Sequence, residues 1–314
     1  MVPLDNELPP HIRTRGSFEP GDRALAFPPP PLPLAVGVYD NHAHLEFADG
    51  ENPMGYQEHL DHSGAVGVIG VIQVGTDVET STWSAALAAR EPRVLAAVAL
   101  HPNEAPKLMA AGEFDEAMAE LDRLACQPRV VAIGETGLDY FRTEQDRQPA
   151  QREAFRAHIE LAKKHGLALQ IHDRDAHDDV VKVLQEMGAP EKTVFHCFSG
   201  DADLAEILAE QGWYASFSGT VTFTKSEGLR QALAVMPRSR ILVETDTPFL
   251  TPTPHRGKPN SPYMVPYTVR FMAEELGMDE NLLAAQLTSN TLDVYGRFDD
   301  APVTPPDSVI RERD

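Results

Sequence analysis

Val36-Gly37-Val38-Tyr39-Asp40-Asn41-His42-Ala43-His44 is an apolar run that ends in a His-x-His pair. Alternate residues of a β-strand point to one side, so His42 and His44 present two imidazoles to a common face. Neutral imidazole is the commonest side-chain metal ligand, and two on a rigid element form half of a divalent-cation site. The same stretch bears on the fold. An open, doubly wound α/β sheet would carry Gly-x-Gly-x-x-Gly after its first strand, and here that turn reads Asp40-Asn41-His42-Ala43-His44.

Working outward, apolar runs at 66–73, 94–100, 130–135, 167–171, 193–197, 213–217 and 240–245 join 36–41 as expected buried parallel strands. Helical periodicity lies between them at 78–90, 112–125, 146–165, 175–187, 201–211 and 226–236. Strands alternating with helices point to βαβ units, and eight such units to a closed (β/α)8 TIM barrel of the α/β class. The doubly wound sheet is the alternative. A Pro-rich loop, 248–266, and closing helices near 264–276, 279–287 and 289–295 complete a barrel domain over 36–298. Residues 1–35, with Pro9-Pro10 and Pro28-Pro29-Pro30-Pro31, read as an irregular arm lying on the body or partly disordered. A proline-rich recognition motif is the sharper alternative there. Residues 299–314 read as a polar tail.

The composition is that of an ordinary globular chain of 314 residues, 42% hydrophobic and 24% charged. Its net charge of −21, from 48 acidic against 27 basic residues, speaks against a broad basic surface that coats nucleic acid. A local positive pocket is still allowed. Cys126 and Cys197 belong to no Cys-x-x-Cys pair and are expected to be small buried residues in a reducing compartment. No apolar stretch is long enough for a membrane span, and no apolar signal core opens the chain. The expected location is cytoplasmic, and no protein partner is readable.

Catalytic residues of a barrel gather at the C-terminal strand ends. Those ends read His42 and His44 on the first strand, Leu100-His101-Pro102 on the third and Gly134-Glu135-Thr136-Gly137-Leu138-Asp139 on the fourth. The fifth ends in Gln170-Ile171-His172-Asp173-Arg174, the sixth in His196-Cys197-Phe198, the eighth in Glu244-Thr245-Asp246. Any one of these is readable as a satisfied core polar group, His101 and Asp173 in particular. Burying the whole set in one mouth is costly unless a shared counter-charge, such as a metal, offsets it. Four imidazoles and two carboxylates suffice for two cations, and two cations about 3.5–4 Å apart are a known design for phosphoester cleavage. Glu135, beside Gly134 and Gly137, suits a bridging role. Glu244 and Asp246 share a strand face by the period of two, one to ligate and the other to orient.

These motifs, with Glu244-Thr245-Asp246-Thr247-Pro248-Phe249-Leu250 and Pro254-His255-Arg256-Gly257-Lys258-Pro259-Asn260, resemble in order those of the TatD family of metal-dependent deoxyribonucleases. The resemblance spans roughly 36–296. It implies a first metal held by His42, His44 and Asp246, a carboxylate shared between two metals at Glu135, and a second metal held by His172 and His196. Ala43 stands where the family often has Cys, Glu46 where it has Asp, and Ala99 where Gly often precedes the x-His-Pro of strand three. None of these removes a ligand. Ala43 should face away from the metals, and its identity should matter little.

The expected activity is hydrolysis of DNA phosphodiester bonds by a metal-activated water, exonucleolytic on short, single-stranded or end-on substrate. The cofactors would be two divalent ions (Mg²⁺, Mn²⁺ or Zn²⁺). Asp246 and Glu135 are the candidate catalytic residues, Asp246 as acceptor of the water's proton. Arg174, His101, Arg256 and Lys258 are candidate substrate contacts, because guanidinium grips phosphate through paired hydrogen bonds and Lys acts as a point charge. Tyr140 and Phe141 are weaker candidates for stacking on a base. One rival is an amidohydrolase or lactonase acting on a small metabolite, whose barrel usually bridges its metals with a modified lysine where Glu135 stands. The other is a non-catalytic barrel that binds a phosphorylated ligand.

Overall fold

The computed structural model describes residues 8–15 and 24–299. Its parallel strands pair in sequence order: β1 (Val38–Ala43), β2 (Val68–Val74), β3 (Val94–Val98), β4 (Val130–Asp139), β5 (Ala168–Arg174), β6 (Thr193–Phe195), β7 (Tyr214–Phe217) and β8 (Ile241–Val243). The ring closes where β1 meets the chain beyond β8. The Asp246 N–H donates to the His42 carbonyl and the His44 N–H to the Thr247 carbonyl, both at 2.9 Å. Asp40 fastens the same seam, accepting from the Thr245 N–H at 2.9 Å and its hydroxyl at 2.5 Å. The expected (β/α)8 barrel is the observed fold, and the open-sheet alternative falls.

Helices α1 (Tyr56–Ala65), α2 (Val78–Ala88), α3 (Ala105–Ala111), α4 (Phe114–Ala125), α5 (Gln148–His165), α6 (His177–Met187), α7 (Ala202–Gln211), α8 (Glu227–Val235), α9 (Val265–Glu275) and α10 (Glu280–Tyr295) accompany the strands. Capping sets several boundaries. Asp77 accepts from the Thr80 N–H at 2.8 Å while the Thr80 hydroxyl accepts from the Asp77 N–H at 3.1 Å, a reciprocal start to α2. Gly112 at φ 75° ends α3 and separates it from α4, so the helix expected at 112–125 begins only at Phe114. Helix α1 has no counterpart in the sequence reading, because Leu60 is the only large apolar residue between Gln57 and Gly64. The two expected closing helices at 279–287 and 289–295 are one continuous α10.

Side chains divide into two layers. The larger apolar cluster lies between strands and helices and includes Ala43, Val71, Leu100, Phe155 and Phe217. The smaller fills the barrel with Ile72, Val74, Leu95, Ala97, Val194 and Leu242, joined by Val294 and Tyr295 of α10. Phe298, just past α10, stacks on Tyr39 at 4.5 Å, near the start of β1. The helix end therefore lies away from the mouth and leaves the mouth to the loops. Cys126, expected to be buried, is exposed at the end of α4, and Cys197 is partly exposed.

The described part of the arm lies on the barrel. The Tyr263 hydroxyl donates to the Pro28 carbonyl at 2.6 Å, and the Leu34 N–H to the Val66 carbonyl at 3.0 Å. Arg13–Thr14 forms a two-residue parallel ladder with Phe47–Ala48. Arm residues 1–7 and 16–23, and tail residues 300–314, lie outside the described residues.

Candidate metal centre

The strand ends differ from expectation in a way that shapes the site. β4 runs on to Asp139 and β5 to Arg174, while β6 stops at Phe195 and β8 at Val243. Glu244 and Asp246 thus lie beyond a strand, and the period-two argument does not apply to them. Asp246 sits at φ 57°, a left-handed conformation that non-glycine residues rarely adopt. That turn sends the two carboxylates to different neighbours. Glu244 Oε1 lies 3.3 Å from His196 Nδ1, whereas Asp246 Oδ1 lies 3.8 Å from His42 Nε2 and 3.6 Å from His44 Nε2.

Glu135 is the hub. Its Oε2 lies 2.8 Å from His196 Nε2 and 3.2 Å from His172 Nδ1, and its Oε1 lies 3.5 Å from His44 Nε2. Close approach of β4 and β5 makes this reach possible. A Cβ on Gly134 would stand 2.4 Å from the Gln170 Cβ, and one on Gly137, at φ 136°, would stand 2.1 Å from the His172 carbonyl oxygen. His101, expected as a substrate contact, also enters the cluster, with Nε2 3.9 Å from Glu135 Oε2 and its ring 4.5 Å from that of His172. Three sets converge closely enough to hold an ion: His42, His44 and Asp246; His42, Glu135 and His196; His101, Glu135 and His172.

Outer partners fix which ring nitrogens face the centre. His42 Nδ1 meets Gln170 Oε1 at 3.1 Å and His44 Nδ1 meets the Val74 carbonyl at 2.9 Å, so both Nδ1 atoms serve as donors. Their Nε2 atoms then face each other as bare acceptors 3.2 Å apart, an arrangement that repels unless a proton or cation lies between them. Asp139 Oδ2, 3.4 Å from His172 Nε2, turns Nδ1 of that ring toward Glu135.

Electrostatics ask for the same thing. Burial pushes the His44 pKa down, but Asp246, Glu46 and Glu135 outweigh it and hold it at about 9. Burial likewise opposes charge on His196, yet Glu135 and Glu244 raise its pKa well above the usual value. Burial disfavours the Glu135 carboxylate, and the surrounding imidazoles still hold its pKa well below the ordinary range. His42, pressed by burial and by His196 stacked at 3.8 Å, is lowered well below normal. Burial takes His101 to about 3. Nitrogen and oxygen donors, preset tautomers and an excess of buried carboxylate charge fit divalent cations.

The remaining expected contacts stay outside this cluster. The Arg174 guanidinium lies over the Phe141 ring, 4.0 Å from its centroid, and that of Arg256 over Phe223 at 4.4 Å. Lys258 is half-buried in the loop after β8, its carbonyl accepting from the Thr251 hydroxyl at 2.6 Å. The Tyr140 hydroxyl donates to Asp179 at 2.5 Å and so packs as an anchor, not a stacking surface. Ala43 faces the strand–helix layer, away from the imidazoles, but is fully enclosed. Glu46 is buried, its Oε2 accepting from the Gln73 amide at 2.7 Å. Asp139 and Gln170 were not singled out in the sequence, and their only signal was proximity to the motifs.

A family model described as TatD related DNase matches residues 39–296. The chain is 44% identical over 263 residues to an uncharacterized metal-dependent hydrolase, TatD, of Mycobacterium tuberculosis, covering 82% of this chain and 98% of the relative. It is 36% identical over 256 residues to the uncharacterized metal-dependent hydrolase YabD of Bacillus subtilis, covering 81% and 96%. Among solved structures, YjjV of Escherichia coli, a TatD homologue, superposes with a TM-score of 0.74 at 27% identity, covering 82% of this chain and 97% of its own.

Proposed function

The chain belongs to the TatD family of metal-dependent hydrolases, and from that premise we propose that it is a deoxyribonuclease working on single-stranded ends with two divalent cations (Mg²⁺, Mn²⁺ or Zn²⁺). The observation that carries this reading is Glu135, one carboxylate within 3.5 Å of His44 just past β1, His172 on β5 and His196 just past β6. A carboxylate so placed is suited to serve two cations at once, of which the first would be held by His42, His44 and Asp246 and the second by His172 and His196. Cations in that arrangement polarise phosphoryl oxygens and make water more acidic. The protein's own residues do the rest. Asp246, less enclosed than the imidazoles beside it, accepts the proton of the attacking water. Glu244, Gln170 and Asp139 hold the rings in register.

Charge and shape at the mouth favour nucleic acid over a small metabolite. Arg142, Arg256 and Lys258 lie in loops after β4 and β8, Arg174 ends β5, and none of the four has a carboxylate partner among the described residues. Arg93, Arg123, Arg152 and Arg156, by contrast, are paired with acids. Cations without an acidic partner at this end of the barrel leave charge for phosphates. Phe141 remains 62% exposed with a guanidinium on its ring, which leaves apolar surface for an unstacked base. Such a small footprint on a chain of net charge −21 suits an end, not a long duplex.

A substrate panel tests this. With Mn²⁺ or Mg²⁺ present, single-stranded DNA with a free 3′ end should be degraded to nucleotides, while a lactone and a cyclic amide should be left intact. Turnover of the amide or lactone with no nucleotide release would replace the nuclease with a small-molecule hydrolase.

A further inference from the structure

Residues 11–15 precede the span that the family model matches, yet they tie together three loops of the barrel mouth. The Ile12 and Arg13 N–H groups donate to the Glu46 carbonyl at 3.0 and 3.1 Å, and the Arg15 N–H to the Ala48 carbonyl at 3.0 Å. In this extended segment Arg13 and Arg15 point to one side. Arg13 donates to the Thr76 hydroxyl at 2.8 Å and pairs with Asp77, in the turn after β2. That turn follows Val74, whose carbonyl orients His44. Arg15 donates to the Pro248 carbonyl at 2.6 Å and to Asp49 at 3.3 Å, its guanidinium 4.7 Å from the Phe249 ring.

Aromatic rings continue the connection inward. Phe47 lies under Arg13 at 5.7 Å, meets Phe249 at 5.8 Å and stands edge-on to His44 at 6.3 Å. The loops so joined carry His44 and Asp246, and one of them leaves the strand directly after Val74, whose carbonyl sets the His44 ring. Asp246 and Leu250 both hold left-handed backbone, at φ 57° and 58°, a conformation that persists only where the surroundings enforce it. The Arg15 bond to Pro248 falls between those two residues.

We propose that residues 11–15 form a strap that sets the geometry of the His42–His44–Asp246 group, with Arg13 and Arg15 as positioning residues for the cation held there. The proposal rests on the metal reading of that group, not on the identity of the substrate. Mouth loops are by default the least stable part of a barrel, and a strap across them reduces the freedom of the ligands they carry.

The test is Mn²⁺ titration calorimetry on the full chain and its Arg15→Ala, Arg13→Ala and Arg15→Lys variants, with urea midpoints alongside. Arg15→Ala should weaken one class of Mn²⁺ site by about tenfold and leave the other unchanged, as loss of an outer partner does. Arg15→Lys keeps a donor for the Pro248 carbonyl and should recover part of that affinity, a rescue that a general loss of packing would not show. On oligonucleotide, kcat should fall with KM little changed. Parental Mn²⁺ affinity in both alanine variants would overturn the strap role, as would a raised KM with unchanged metal affinity, which would make the arginines substrate contacts. Should an alanine variant fail to fold, Arg13→Gln and Arg15→Gln decide by the same affinity criterion. A parent chain that binds no Mn²⁺ would remove the site reading and the strap role together. Absence of DNA cleavage alone would remove only the nuclease.

Discussion

Glu135 meets imidazoles from three strand ends, and each of those imidazoles has a second partner that decides which nitrogen is left for it. Glu244 is the clearest such partner: fully buried, it accepts from the Cys197 N–H at 2.7 Å and lies 3.3 Å from His196 Nδ1. Glu244→Gln keeps the volume and removes the charge that orients His196, so metal-dependent activity should fall by about 10–100-fold. Steady-state kinetics at fixed Mn²⁺ check this, and parental rates would mean that Glu244 only fills space. At this scale the sequence was informative where a polar residue interrupts an apolar strand. His42, His44, Glu135, His172, His196 and Asp246 all converge as that logic expects. His101, expected as a substrate contact, joins the cluster instead, its Nε2 3.9 Å from Glu135 Oε2. Gln170 and Asp139 act across the barrel, on residues 128 and 33 positions away, and no local pattern reveals such contacts.

At the scale of elements, the alternation of strand and helix was legible because buried parallel strands are nearly continuous apolar runs. Their ends were not. β8 stops before Glu244 and β4 runs past Glu135, since hydrogen bonding to the neighbouring strand, not hydropathy, sets where a strand ends. Helix α5 shows how elements are locked together. His158 accepts from the Leu100 N–H at 3.0 Å, two residues past β3, and its Nδ1 donates to the Ala154 carbonyl at 2.7 Å. Burial lowers its pKa to about 4, below the usual value near 6.5 for an exposed imidazole. Between those two values the unfolded chain binds a proton that the folded one refuses. Stability from this group is therefore complete above pH 6.5 and is lost as pH falls toward 4. His158→Gln should lower stability at pH 7.5 by about 1–3 kcal/mol and flatten the decline from pH 6.5 to 4.5, read as urea midpoints at several pH values. A decline parallel to the parent's would show that His158 titrates normally.

At the scale of the whole molecule, one seam governs the design. The closure of β1 on the chain beyond β8 brings His42 and His44 to Asp246 through two backbone hydrogen bonds, so the act of closing the barrel also assembles the first ligand group. The closed barrel was readable from the count of strands. That a segment outside the matched span would strap the same seam was not, because His11-Ile12-Arg13-Thr14-Arg15 is too short to carry a periodic signal and its partners lie more than 30 residues away. Among the described residues no helix is long and apolar enough to cross a membrane. The most direct test of the central claim uses the chelator-stripped protein and a single-stranded oligonucleotide, following nucleotide release as Mn²⁺ is added back to the parent chain and to Glu135→Gln. The account predicts release that depends on Mn²⁺ in the parent and falls by more than about 100-fold in the variant, beyond what loss of an outer partner costs. Release without added metal, or at parental rate in Glu135→Gln, would contradict it.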